Sequence, residues 1–369
     1  MEKPRIIWVN AIFFTVSTLL ALVAVPLWGV YHGYNLWQWV ACIGLFAFCN
    51  LSITAGYHRL WSHKAYQAHP ALRWIFAIGG ALAIQNSVIH WASDHRVHHR
   101  HVDNNDVDPY SAGRGFWYSH MGWMLRDYQP ERYDDYSNVR DLFKDPVVDF
   151  QHRHYMKLTW GLNLLVTVAI GLAVGDVIGT VLLAGFLRIF FTHHTTFFIN
   201  SLAHFWGRNT FSNKHSARDN GFLALLTFGE GYHNFHHTFE NDYRNGIRWF
   251  DYDPTKWLIK GANKLGLAQG LRKTPEEMIV KARLTRQLEE ATEKAQANGL
   301  CFAELHRHYD ETVATAQHYF QLRKRWLQMK KAKLKRSVEA LELRKQLEEM
   351  AEKLHRLQQH WQQLRMQIA

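Results

Sequence analysis

Between Ile6 and Tyr57 the chain carries no Asp, Glu, Lys or Arg. A soluble core helix is never that long. A membrane crossing takes about 20 apolar residues, so the run has room for two. A second apolar stretch runs from Leu158 to Asn200 and is broken only by Asp176 and Arg188. Turn-forming residues divide each stretch, Tyr31-His32-Gly33-Tyr34-Asn35 in the first and Val174-Gly175-Asp176-Val177 in the second. The expected fold class is an all-α integral membrane protein with four transmembrane helices, at about 8–30, 36–55, 157–174 and 178–199.

Charge orients these spans. The chain has 43 Lys and Arg against 32 Asp and Glu, a formal charge of +11. Cationic segments facing an anionic membrane surface account for this excess, and no nucleic-acid partner is expected. Lys3 and Arg5 precede the first span and place the N-terminus in the cytoplasm. The segment Ala71–Trp91 has Arg73 as its only charge. Its Gly79-Gly80 and Gln85-Asn86 pairs make it a poor span, so it is expected to be a buried or interfacial helix. An even number of crossings then returns the chain to the cytoplasm at Asn200, with both termini on that side. The cap comprises residues 56–155 and 200–270, which with the spans make a membrane domain of residues 1–270. The three cysteines, Cys42, Cys49 and Cys301, form no CxxC pair. That usage fits a reducing compartment, without a disulfide frame or a thiolate metal site.

Residues 271–369 read as a helical, coiled-coil extension. Leu343, Leu347, Met350, Leu354, Leu357, Trp361, Leu364 and Ile368 step alternately by four and three, a heptad seam. The seam is suited to self-association or to packing back on the cap. A basic run holds Lys330, Lys331, Lys333, Lys335 and Arg336. It reads first as a solvated helix face, with anionic lipid or an acidic partner as the alternative.

Histidine is the chemistry-bearing residue. His58 and His63 lie five apart at the end of the second span. His95, His98 and His99 are spaced i, i+3, i+4, and so are His233, His236 and His237. On a helix such spacings share a face. Eight histidines exceed what one zinc takes and suit a two-metal centre, and an all-imidazole site with open positions points to iron and dioxygen chemistry. Asp94 and Glu230 are expected to orient the imidazoles from behind.

The boxes His58-Arg59-Leu60-Trp61-Ser62-His63, His95-Arg96-Val97-His98-His99 and His233-Asn234-Phe235-His236-His237 resemble those of the membrane fatty acyl-CoA desaturases of the stearoyl-CoA (delta-9) type. Gly56-Tyr57 before the first box, Trp91 before the second and Gly229-Glu230-Gly231-Tyr232 before the third add to the likeness, as does Asn200-Ser201-Leu202-Ala203-His204. It covers about residues 10–270 and leaves the tail outside. It implies four transmembrane helices under a cytoplasmic cap and two iron ions (Fe2+) held by the eight histidines and His204, with Asn200 acting through a water. It also implies O2 as co-substrate and a cis double bond placed in a saturated acyl chain. Gln85, Trp91 and Thr196 fall where that family bends the acyl tunnel. Asn86 is a candidate for the acyl entrance, and Arg96, Arg114 and Arg126 for CoA phosphates. Where the family has a second basic residue after Arg126 this chain has Asp127, which makes a lipid-linked acyl chain the alternative substrate.

A desaturase needs external electrons, and the sequence has no haem domain, ferredoxin cysteine cluster or nucleotide loop. A separate donor such as a ferredoxin, a rubredoxin or a cytochrome b5-like protein is therefore expected. The same ligands would serve an acyl or alkane hydroxylase. A membrane scaffold with a coiled-coil tail is the non-enzymatic alternative.

Overall fold

A computed structural model describes residues 4–298, 303–332 and 337–368. Lys3, Cys301, Lys333, Lys335 and Arg336 lie outside the described residues. The chain forms two compact units, Met1–Arg208 with His215–Lys273, and Asn209–Lys214 with Thr274–Ala369.

The first unit is an integral membrane protein of four long apolar helices: α1 (Trp8–Tyr31), α2 (Leu36–Ser62), α5 (Tyr155–Val174) and α6 (Val177–Phe205). Their outer faces show large aliphatic side chains such as Val9, Val30, Leu36, Leu164 and Leu172, which belong in lipid rather than water. Both hairpins turn where the turn residues stand. Asn35 caps α2 and receives the Gln38 amide N–H, while Gly175 ends α5 with a φ of 81° and Asp176 caps the start of α6. Asp176 also accepts from the Gln38 amide at 2.9 Å and the Trp28 indole at 3.2 Å, tying the two hairpins together.

The segment Ala71–Trp91 departs from a single helix. α3 (Pro70–Leu82) stops, and α4 (Val88–His101) restarts with Ser87 as its cap. Between them Ile84 and Asn86 take positive φ angles of 53° and 71°. The polar Gln85-Asn86-Ser87 stretch supplies side chains that compete with helical hydrogen bonding, and the chain bends there. α3 is buried against α2 through Gly79 and Gly80, where a Cβ would overlap Ser52 and the Tyr57 ring respectively. α2 also extends past the expected span end, and its last part, Ser52–Ser62, is wound as a π-helix. The N-terminal residues pair with the cap: the Ile7 N–H donates to the Leu125 carbonyl at 3.0 Å and that of Asp127 to Arg5 at 2.9 Å.

The second unit contains α7 (Glu276–Ala297), α8 (Ala303–Lys331) and α9 (Val338–Ile368). The heptad seam faces these sister helices. Leu343, Leu354 and Trp361 are buried, and Trp361 packs in a cluster with Leu284, Leu288, Ala291 and Leu305. The Trp361 indole donates to Gln287 at 2.8 Å. Lys330 and Lys331 are exposed at the end of α8.

This packing sets two expected outcomes. Gly80→Ala, which forces a methyl into the Tyr57 ring, lowers stability by about 1–3 kcal/mol. Trp361→Ala costs about 3–5 kcal/mol and opens the second unit. Thermal unfolding of the detergent-solubilised chain reads the first, and protease susceptibility of residues 276–368 in the full chain reads the second.

Candidate metal centre

The π-turn explains the first histidine pair. Its hydrogen bonds run from i to i+5, as from the His63 N–H to the His58 carbonyl at 3.1 Å, so side chains five apart fall on nearly the same side. His58 and His63 thereby point together, and their ring centroids are 4.8 Å apart. The two i, i+3, i+4 boxes are each divided between two ligand groups. His58, His63, His95, His99 and His236 form one group, and His98, His204, His233 and His237 the other, with the ligand atoms of each within 4.8 Å of one another. The stacked rings of His99 and His237, 4.2 Å apart, join the two.

Spacing and charge both fit metal ions. In the first group Nε2 atoms face each other at 2.9 Å (His58–His236), 2.8 Å (His63–His95) and 3.0 Å (His236–His99). In the second the separations are 3.1 Å (His204–His233), 3.1 Å (His233–His237) and 3.3 Å (His98–His237). Two nitrogens at about 2.1 Å from an ion and at right angles to each other stand about 3.0 Å apart. Burial first, then the neighbouring imidazoles, pushes His63, His95, His233, His236 and His237 well below the usual histidine range. Burial likewise takes His99 down to about 4, against the pull of Glu240. Neutral rings present lone pairs, and lone pairs facing at these distances repel unless a cation lies between them. Both groups are able to bind metal.

The other ring nitrogens are held from behind. Glu230 accepts from His58 Nδ1 at 2.9 Å, as expected. Its carboxylate also takes Arg59 at 2.8 Å and the Asn245 amide at 2.7 Å. Burial would raise the Glu230 pKa, but His58 and Arg59 outweigh it and bring it to about 2. Asp94 behaves otherwise: it lies 3.5 Å from His90 rather than behind a ligand. The carboxylate behind His98 is Asp108, with both oxygens 2.9 Å from Nδ1. Tyr110 holds His95 at 3.2 Å, Glu240 holds His99 at 3.3 Å and Ser216 holds His204 at 2.7 Å. None of these four stands in a histidine box. Asp108-Pro109 reads as a turn, and only the Asp-Pro dipeptide hinted at a fixed conformation.

Among the histidines outside the boxes, His120 and His194 pair with each other at 3.0 Å, outside both groups. His193 binds backbone carbonyls. His215 lies 5.2 Å from the His237 ring, and its buried ring nitrogens have no hydrogen-bond partner among the described residues.

A cavity of about 660 Å³ adjoins the centre. Gln85, Asn86, Trp91, Arg126, Thr196 and Asn200 line it, with Phe13, Phe14, Ile84 and Phe197. Trp91 connects cavity and centre, because its ring also stacks on His95 at 4.7 Å. Gln85 donates to the Thr196 hydroxyl at 2.9 Å across the wall. Arg126 donates to the Pro4 carbonyl at 2.8 Å. Arg96 and Arg114 are not among the lining residues. Arg96 is bound to Asp141 at 2.7 Å and to the carbonyls of Trp61, Ser62 and Asn138. Arg114 lies over the rings of Tyr118 and Tyr128.

Fold and site together define a helical membrane protein with two adjoining, buried histidine groups able to bind metal. The fatty acid desaturase family model matches residues 34–268. The chain belongs to that family. It is 47% identical over 237 residues to a probable acyl-CoA desaturase of Schizosaccharomyces pombe and 44% identical over 250 residues to acyl-CoA desaturase 1 of Saccharomyces cerevisiae. These alignments cover 64% and 68% of this chain but only 49% of each relative, so the chain spans about half the length of these yeast proteins. It is 36% identical over 284 residues to sn-2 palmitoyl-lipid 9-desaturase of a Nostoc species, covering 75% of this chain and 94% of that one.

The backing carboxylates give a direct test. Asp108→Ala lowers metal affinity at the four-histidine group by about 10–100-fold, because His98 loses the acceptor that fixes its orientation. Metal retained per chain after dialysis against a graded chelator series measures the loss.

Proposed function

We propose that the protein is an oxygen-dependent diiron desaturase that places a cis double bond, of the delta-9 type, in a saturated fatty acyl chain carried on CoA. The observation that carries this reading is the pair of buried all-histidine groups beside the cavity, joined to it by Trp91. His58, His63, His95, His99 and His236 would hold one iron. His98, His204, His233 and His237 would hold the other, with Asn200 assisting through a water. When bound, the irons supply the oxygen activation that the side chains cannot. The overall change takes two hydrogens from adjacent methylenes and, with two electrons and two protons from outside, reduces O2 to two waters.

The residues of the chain do the rest. A methylene has no polar handle, so the choice of C–H bond rests on the shape of the cavity. Trp91, Gln85 and Thr196 shape that wall. The apolar lining from Phe13, Phe14 and Phe197 keeps water from the reacting centre. Arg59, Glu230 and Asp108 fix the ligand rings. We place the centre and both termini in the cytoplasm. The even number of spans, the pairing of the N-terminal residues with the cap and Arg5 at that end support this side. The electrons come from a separate redox protein of the ferredoxin, rubredoxin or cytochrome b5-like kind.

A second carrier is favoured by two observations. Arg96 is fully occupied within the protein. The Nostoc relative, matched over 94% of its length, is a palmitoyl-lipid desaturase. A lipid-linked acyl chain is therefore the alternative substrate.

Expression in a desaturase-deficient host, with mass spectrometry of acyl-CoA and lipid pools, decides. A cis-monounsaturated chain is expected, appearing first in the pool that carries the substrate, and a hydroxylated chain without alkene refutes the reading. His98→Ala abolishes the product and reduces bound iron while the protein still inserts in the membrane. Full iron and full turnover in that variant would remove His98 from the ligand set.

A further inference from the structure

Two buried basic side chains of α6, Arg188 and His193, take no part in the histidine groups. Arg188 Nη1 donates to the Leu82 carbonyl at 2.7 Å, Nη2 to the Asn163 side-chain oxygen, and Nε to the Ala184 carbonyl at 3.1 Å. His193 Nε2 lies 3.0 Å from the carbonyls of both Ala83 and Ile84. The Thr159 hydroxyl donates to the Ala81 carbonyl at 3.1 Å. The four carbonyls from Ala81 to Ile84 belong to the end of α3, where helical partners run out. All four are taken by side chains of α5 and α6. No carboxylate of the described residues pairs with Arg188, whose charge is instead set against the negative end of the α3 dipole.

The inner wall of the cavity continues directly from these carbonyls. Ile84, Gln85 and Asn86 all line it. Ile84 is β-branched and held at a φ of 53°, a conformation such residues avoid, so the surrounding structure must impose it. The Asn86 N–H donates to the Tyr155 hydroxyl at 2.8 Å, and Gln85 reaches Thr196. The bend is therefore anchored on both sides, and Arg188 and His193 hold the side from which it starts.

We propose that Arg188 and His193 are positioning residues that set which carbons of the acyl chain are desaturated. They act through the Leu82–Ile84 carbonyls, which fix the place of the bent wall relative to the histidine centre. The proposal rests on the desaturase reading above. A shift of the wall by about 1 Å is close to one methylene step, enough to bring a neighbouring C–H to the centre.

The test uses the full chain in the desaturase-deficient host and reads double-bond position by mass spectrometry of derivatised fatty acids, with bound iron measured alongside. Wild type gives one dominant positional isomer. In His193→Leu, which cannot bind the two carbonyls, the ratio of that isomer to its neighbours falls roughly tenfold. His193→Gln retains a donor and restores the wild-type position. Arg188→Lys reaches one acceptor where the guanidinium reaches several, and it spreads the product likewise. Arg188 does not line the cavity, so its effect is transmitted through the backbone, whereas His193 also lines the cavity and forms part of its surface. The same single isomer from His193→Leu and Arg188→Lys, at whatever yield, overturns the proposal and leaves the desaturase reading intact. A wild-type chain that makes no alkene refutes that reading instead. Should Arg188→Lys fail to accumulate in the membrane, the His193→Leu and His193→Gln pair decides: both change the cavity surface at that position, and only the variant that keeps a donor to the carbonyls keeps the wild-type isomer.

Discussion

Nine imidazoles brought nitrogen to nitrogen in a buried interior form an unfavourable arrangement without a cation. Burial removes the proton that would otherwise separate them, as the lowered pKa values of His63, His95, His233, His236 and His237 show. The rings must therefore be held against their own repulsion, and much of the cap serves that end. Each of five ligands has a partner on its far nitrogen: Glu230, Asp108, Tyr110, Glu240 or Ser216. Arg59 takes Glu230 and Asp253 together while almost fully buried, so the carboxylate behind His58 is itself charge-balanced. Removing one member of such a buried ionic group strands the others, which is costly enough to keep the network intact.

Backbone irregularity achieves what the side chains alone cannot. In a regular α-helix residues five apart diverge, and His58 and His63 would face different directions. The π-winding of Ser52–Ser62 turns them to one side. The packing of α3 against that same segment is close only because Gly79 and Gly80 lack a Cβ. The ligand pair, its unusual winding and the glycine contact are one structural decision.

Much of this was legible in the chain. Long apolar runs with turn residues between them disclosed the four spans, and the histidine spacings disclosed two helical ligand boxes. The division of each box between two groups was hidden, because periodicity gives a face and not the partner facing it. Asp94 adjoins His95 in sequence yet turns to His90, while Asp108, ten residues from His98, comes back to it through a turn. Proximity along the chain was a poor guide to the residues behind the ligands. The bend at Ile84–Asn86 was only hinted at by Gln85-Asn86, since the α5 and α6 side chains that hold it in place lie more than 70 residues away. The heptad seam was visible too, but a seam does not name its partner; it packs on α7 and α8 of its own unit.

The bend also links the cavity to the centre mechanically. α4 starts at the bend and carries Trp91 and His95 one turn apart, with their rings stacked. Part of the wall that would grip an acyl chain and the ligand that would grip a metal thus lie on one rigid helix. The rest of that wall, Ile84 to Asn86, precedes the helix, so its place relative to the ligand is set by the bend. Selecting one C–H bond among chemically equal methylenes demands such a coupling, because no polar group on the chain offers another reference point.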